Sequence, residues 1–184
     1  MNETPKTPIV RLAFWLYLPM IASGVFSRPP DVFGISHPTR LAMGMALALV
    51  TGAAVVWLSR WISRQTEWGR MLRVEFHALL GGMDSRQVLY LALLSGFGEE
   101  ILFRGVLQPR LGWFWASLMF GALHFPFRSI LIPWSLFALA MGFVLAAFTE
   151  VLQNLWPAIL LHFMINYLNL HDLAELREPP PSDP

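Results

Sequence analysis

Apolar residues run along this chain in blocks long enough to cross a lipid bilayer, and polar residues gather between the blocks. Residues 41 to 59 hold 19 positions without a charge; at about 1.5 Å per helical residue, that reaches across the roughly 30 Å of bilayer hydrocarbon. A first block, 12 to 27, follows Arg11 and contains Pro19, which predicts a kink; with no small-x-small cleavage site after it, it reads as an uncleaved span rather than a signal peptide. Further blocks run over about 86 to 107, 112 to 125, 129 to 149 and 156 to 170. The pattern predicts an all-α, polytopic membrane helical bundle of about six transmembrane helices.

One stretch departs from this. Between residues 60 and 82, Arg60, Arg64, Glu67, Arg70, Arg73 and Glu75 alternate with Trp61, Ile62, Trp68, Met71, Leu72 and Phe76, as on an amphipathic helix lying in the membrane interface. Gly81-Gly82 should end it, with Asp84 or Ser85 capping the next helix. Pro109 with Gly112 marks a turn, and Pro126 ends the fourth block. Small residues in the second span (Gly44, Ala46, Ala48, Gly52, Ala53, Ala54) would let neighbouring helices approach closely. The Pro-rich loop at 28 to 40 and the polar ends, 1 to 8 and 171 to 184, read as unstructured. The chain then divides into two spans plus the amphipathic helix (1–85), a four-helix part (86–170) and a tail (171–184).

Composition sharpens this reading. With 55% hydrophobic and only 14% charged residues, the chain is too apolar for an ordinary soluble domain. A net charge of +1 and the lack of a basic patch interleaved with aromatics give no footprint for nucleic acid. There is no cysteine, so disulfides, thiolate metal sites and a cysteine nucleophile are excluded. The 13 Lys and Arg residues orient the bundle by the positive-inside rule. With the N-terminus cytoplasmic, Lys6, Arg11, Arg60, Arg64, Arg70, Arg73, Arg86, Arg128 and Arg177 fall inside, against Arg28, Arg40 and Arg110 outside. Both termini are therefore expected in the cytoplasm of a multi-pass protein of the cytoplasmic membrane.

The chemistry is concentrated in Ser95-Gly-Phe-Gly-Glu99-Glu100-Ile-Leu-Phe-Arg104. Ionisable side chains at bilayer depth are costly unless they pair, face the protein interior or line a wet cavity. On a helix, Glu100 and Arg104 are i,i+4 partners in the favourable order, while Glu99 lies about 100° round the helix and stays free for chemistry. The plain alternative is a buried structural ion pair with a spare carboxylate. His124 shares a face with Phe120 on the fourth block, and His162 with Asn166 on the sixth. One histidine on an apolar helix is more often structural than catalytic; two, with an asparagine and a free glutamate, are harder to dismiss. His37, His77 and His171 read as solvated.

Glu99-Glu100-x-x-x-Arg104, Phe120-x-x-x-His124 and His162-x-x-x-Asn166, in that order on successive apolar helices, resemble the CPBP group of intramembrane glutamic endopeptidases, which includes the CAAX prenyl proteases. The resemblance covers about residues 86 to 170. It implies peptide hydrolysis in the bilayer, with Glu99 and His124 activating a water and His162 and Asn166 forming an oxyanion site. Glu100, Arg104 and Phe120 would support them. It further implies a membrane-anchored protein or peptide substrate with a C-terminal sorting or lipidated tail, and the chain's size resembles the small bacterial myxosortase-type members. Two Glu and two His could also make a zinc site, but there is no His-Glu-x-x-His pair and Asn is a poor zinc ligand, so the reading is of no metal and no cofactor. A proton-coupled transporter would use intramembrane Glu and His as well, though the inverted repeats common to transporters are not evident. A non-catalytic scaffold or immunity protein would not need every motif position.

Overall fold

A computed structural model describes residues 7–27, 33–35, 37–80, 82–125 and 128–175. Of the stretches expected to be unstructured (1–8, 28–40 and 171–184), residues 1–6, 28–32, 36 and 176–184 lie outside them, as do Gly81 and Pro126, whereas residues 7–8, 38–40 and 171–174 are helical. The chain is an all-α membrane helical bundle. Its helices are α1 (Thr7–Ser27), α2 (Pro38–Gln65), α3 (Glu67–Leu80), α4 (Ser85–Glu100), α5 (Gln108–Leu111), α6 (Trp113–Leu123), α7 (Ile132–Leu152) and α8 (Trp156–Ala174). A π-helical segment, Ile101–Leu107, joins α4 to α5, and a 3₁₀ turn, Ser129–Leu131, leads into α7.

Three helical stretches, Ile9–Ser27, Pro38–Gln65 and Ser129–Leu152, are long and apolar enough to cross a membrane. The other three expected crossings differ for physical reasons. α4 and α8 carry the polar site residues, most of which face inward. The fourth, expected over 112 to 125, is an 11-residue helix, and at about 1.5 Å per residue it covers some 16 Å, about half the hydrocarbon. The amphipathic stretch is also divided: residues 60–65 extend α2, the chain breaks at Thr66, and α3 starts afresh, with the Thr66 hydroxyl accepting from the Gly69 amide. Asp84 caps α4 in a full capping box with Gln87. α8 runs four residues past its expected end.

The bundle is arranged around α8, which packs between α2 and α4; α1 lies along α4 and the π segment, α6 packs on α7, and α3 leans on α2 and α8. Bilayer helices gain nothing from leaving lipid for one another, so close fit must hold them. On α2 the buried residues are Gly44, Ala48, Gly52 and Val56, one every four positions, while Ala46, Ala53 and Ala54 face outward. Gly44 meets Leu152 and Pro157, and Gly52 meets Met164. The stripe continues into a core of Met141, Leu145, Ala158, Leu161 and Ile165. On α4, a methyl group at Gly96 would sit 3.3 Å from the Phe163 backbone nitrogen, so that glycine brings the acidic helix close against α8.

The π segment is the main departure from a regular helix over 86 to 107. Its wider turn carries i→i+5 bonds, such as that from the Gln108 amide to the Phe103 carbonyl, and such insertions recur at functional sites. Here it follows directly on the two glutamates. Phe103, Arg104, Gly105 and Val106 are all buried in it.

Candidate active site

Glu99 and Glu100 end α4, and the helix turns them to different neighbours. Glu100 is fully buried and its Oε1 accepts from Arg104 Nη1 at 3.0 Å and from His162 Nδ1 at 2.7 Å. The expected Glu100–Arg104 pair is therefore present, and Glu100 has a second task that the helix periodicity did not reveal: it holds the ring of His162. Arg104 also donates from Nη2 to the Gly142 carbonyl at 2.9 Å, and its guanidinium lies 4.4 Å above the centroid of Phe120. Phe120 thus covers the buried cation and also meets the His124 ring, its centroid 4.4 Å away.

Glu99 has no ionic partner of that kind. Its Oε1 accepts from the Tyr17 hydroxyl on α1 at 3.0 Å. Its Oε2 is buried without a hydrogen bond among the described residues, 3.6 Å from His124 Nε2 and 3.8 Å from His162 Nε2. His124 lies just past the end of α6, in the turn that follows, which sets its ring beside Glu99 although α6 is short. Its Nδ1 is 2.7 Å from the Phe120 carbonyl. A carbonyl only accepts, so Nδ1 carries the hydrogen, and the neutral ring offers a lone pair at Nε2. Two acceptors thus face each other across a 3.6 Å gap, and a water can donate to both.

His162 is constrained in the same way. With Nδ1–H given to the Glu100 carboxylate, Nε2 can donate only when the ring is an imidazolium. Asn166, one turn further along α8, donates from Nδ2 to Ser95 Oγ at 2.9 Å, and its other amide hydrogen is left to spend. The structure therefore gathers Glu99, Glu100, Arg104, Phe120, His124 and His162 into one contiguous cluster, with Asn166 at its margin, bonded to Ser95. His77, read as solvated, instead sits 3.0 Å from the Leu173 carbonyl and ties α3 to α8. Among the described residues no group of three or more His, Cys, Asp or Glu is arranged to hold a metal ion.

A cavity of about 380 Å³ opens from this cluster. Glu99, His124, His162 and Asn166 line it, and so do Asn169, Leu170 and Leu173 further along α8. Leu72 and Phe76 of α3 supply part of its apolar wall.

Sequence reasoning missed Tyr17 and Ser95. Tyr17 carries the one hydroxyl between residues 12 and 22, and buried tyrosine hydroxyls usually find a partner; that was the available signal. Ser95, one turn before Glu99, had none beyond its place in the motif.

Residues 83–168 match the family described as type II CAAX prenyl endopeptidase Rce1-like. The uncharacterized protein YpbD of Bacillus subtilis (strain 168) is 43% identical over 81 residues, which are 43% of this chain and 41% of that protein. The chain thus spans about two fifths of the relative's length. No solved structure matches the chain.

Proposed function

We propose, from a chain whose residues 83–168 match the family described as type II CAAX prenyl endopeptidase Rce1-like, that the protein is an intramembrane endopeptidase of the glutamic type. One observation carries the reading: Glu99 Oε2 and His124 Nε2, both unspent acceptors, face each other at 3.6 Å on the wall of a cavity. A water donating to both is a nucleophile with its base in place. As the water oxygen attacks the scissile carbonyl carbon, Glu99 takes one proton and His124 holds the other hydrogen. The carbonyl oxygen becomes an oxyanion facing Asn166 Nδ2 and, as an imidazolium, His162 Nε2, donors of the kind that stabilise charge developing in the transition state. When the C–N bond breaks, Glu99 returns its proton to the leaving amine. Glu100, Arg104 and Phe120 hold His162 and His124 in position.

The cavity supports a peptide substrate. From His162 to Leu173 is 11 residues of α8, about 16 Å at the helical rise, or four to five residues of extended chain at about 3.3 Å each. The substrate is a membrane-anchored protein cut near its C-terminal tail, whether a lipidated tail or a sorting tail. The mechanism asks nothing of a metal.

The test is cleavage in liposomes of two reporters, a farnesylated C-terminal peptide and an unlipidated single-span protein with a C-terminal tail. Wild type should cut at least one, and Glu99→Gln, which keeps volume and removes basicity, should cut neither while retaining its melting temperature. Equal activity in the two proteins would eliminate Glu99 as the base.

A further inference from the structure

The geometry points to Tyr17, on a helix outside residues 83–168, as a positioning residue that aims the Glu99 carboxylate; this rests on the endopeptidase reading of the same site. α1 shows lipid most of its surface, with Leu12, Trp15, Leu16 and Leu18 exposed. Ala13 is buried and Tyr17, one turn on, is partly so, which turns the phenol towards α4. α4 has made room for it: a methyl group at Gly98 would lie 3.0 Å from Tyr17 Cδ1, closer than carbon atoms normally pack. The glycine before the glutamate pair thus sets the ring against the helix with its hydroxyl on Glu99 Oε1 at 3.0 Å.

The consequence is a division of labour between the two oxygens of one carboxylate. Free to rotate about its last bond, Glu99 would present either oxygen to the cavity at varying angles. With Oε1 fixed by a charge-assisted hydrogen bond, Oε2 is the oxygen left between His124 and His162, the one with no other partner. Among the described residues no other side chain hydrogen-bonds Glu99. The donor does not touch substrate or the reacting atoms; it acts through Glu99.

Two measurements on the full-length protein test this. The chain has three tyrosines, Tyr17, Tyr90 and Tyr167, so labelling with 3-fluorotyrosine gives three fluorine resonances, with Tyr17 identified by its loss in Tyr17→Phe. That resonance should move in Glu99→Gln and stay in place in Glu150→Gln; a resonance indifferent to Glu99 overturns the proposal. In the second measurement Phe and 4-aminophenylalanine replace Tyr17. Phe keeps the ring and loses the donor, and should lower kcat by about 10- to 100-fold with KM unchanged, the scale of a misplaced catalytic group. 4-Aminophenylalanine restores an N–H at the same place and should recover most of the rate, with all three proteins melting alike. A Phe variant with wild-type kcat, or one that 4-aminophenylalanine does not rescue, overturns the positioning role. A wild type that cuts neither reporter would sink the endopeptidase reading, while the fluorine shift still decides whether Tyr17 holds Glu99.

Discussion

Glu100→Gln isolates the buried ion pair from the chemistry beside it. Glu100 is 0% and Arg104 1% exposed, so neither charge can turn to water when its partner goes. The amide keeps an oxygen to accept from His162 Nδ1, but it removes the negative charge facing a guanidinium whose other supports include one carbonyl, Gly142, and the rings of Phe120 and Phe103. Those supports are present in wild type too and offset nothing. Stripping one member from a buried pair costs about 3–5 kcal/mol, which for a chain of this size lowers the melting temperature by about 6–20 °C. The double variant Glu100→Gln/Arg104→Met removes the stranded cation with an unbranched apolar chain. The Gly142 carbonyl that Arg104 gives up stays within 3.1 Å of Ser117 Oγ, whose single hydrogen can turn to it from the Trp113 carbonyl at 2.7 Å. The double variant should therefore melt well above the single variant, although the two changes are coupled and will not add. The assay is thermal unfolding of each purified protein in one detergent, with membrane yield alongside. A single variant as stable as wild type, or a double variant no more stable than the single, would refute the account of this pair as a charge that must be compensated.

The remaining predictions concern metal and orientation. Purified protein treated with strong chelators should keep the proposed endopeptidase activity and carry no stoichiometric zinc; loss of that activity, restored by zinc alone, would reverse the proposed assignment of Glu99 and His124 from water activation to metal ligation. Reporter fusions after Pro184 and within residues 64 to 73 should both report the cytoplasm. An outside signal at either one would reverse the orientation of the bundle, and the 11-residue α6, too short for a full crossing, is the element through which that reversal would come.

Features set by near neighbours in sequence were legible before any coordinates. The Asp84 cap, the Gly112 break and the i,i+4 pairs depend only on local chemistry, and the motif order on successive helices carried the resemblance to the family whose model matches residues 83–168. The small residues of α2 were legible as a group but not as a face: all six looked alike, and only packing against Met164 and Leu152 separates Gly44, Ala48 and Gly52 from the three alanines that meet lipid. The π segment escaped notice because nothing in Ile101–Leu107 marks it.

The site was legible as a set of residues, not as a set of bonds. Helical geometry separated Glu99 from Glu100 by about 100° and so assigned one to Arg104 and the other to chemistry. It could not show that His162, 62 residues later, would spend Nδ1 on Glu100. That bond changes the demand on the mechanism. A neutral His162 held this way has no N–H left for an oxyanion, so the donor role requires a second proton on its ring. His124, by contrast, gives its N–H to a backbone carbonyl, a neutral acceptor that leaves a lone pair towards Glu99. In the proposed mechanism, two histidines that look equivalent in sequence are set to opposite tasks by the acceptor each has at Nδ1, a carboxylate for the one that must hold charge and an amide carbonyl for the one that must not.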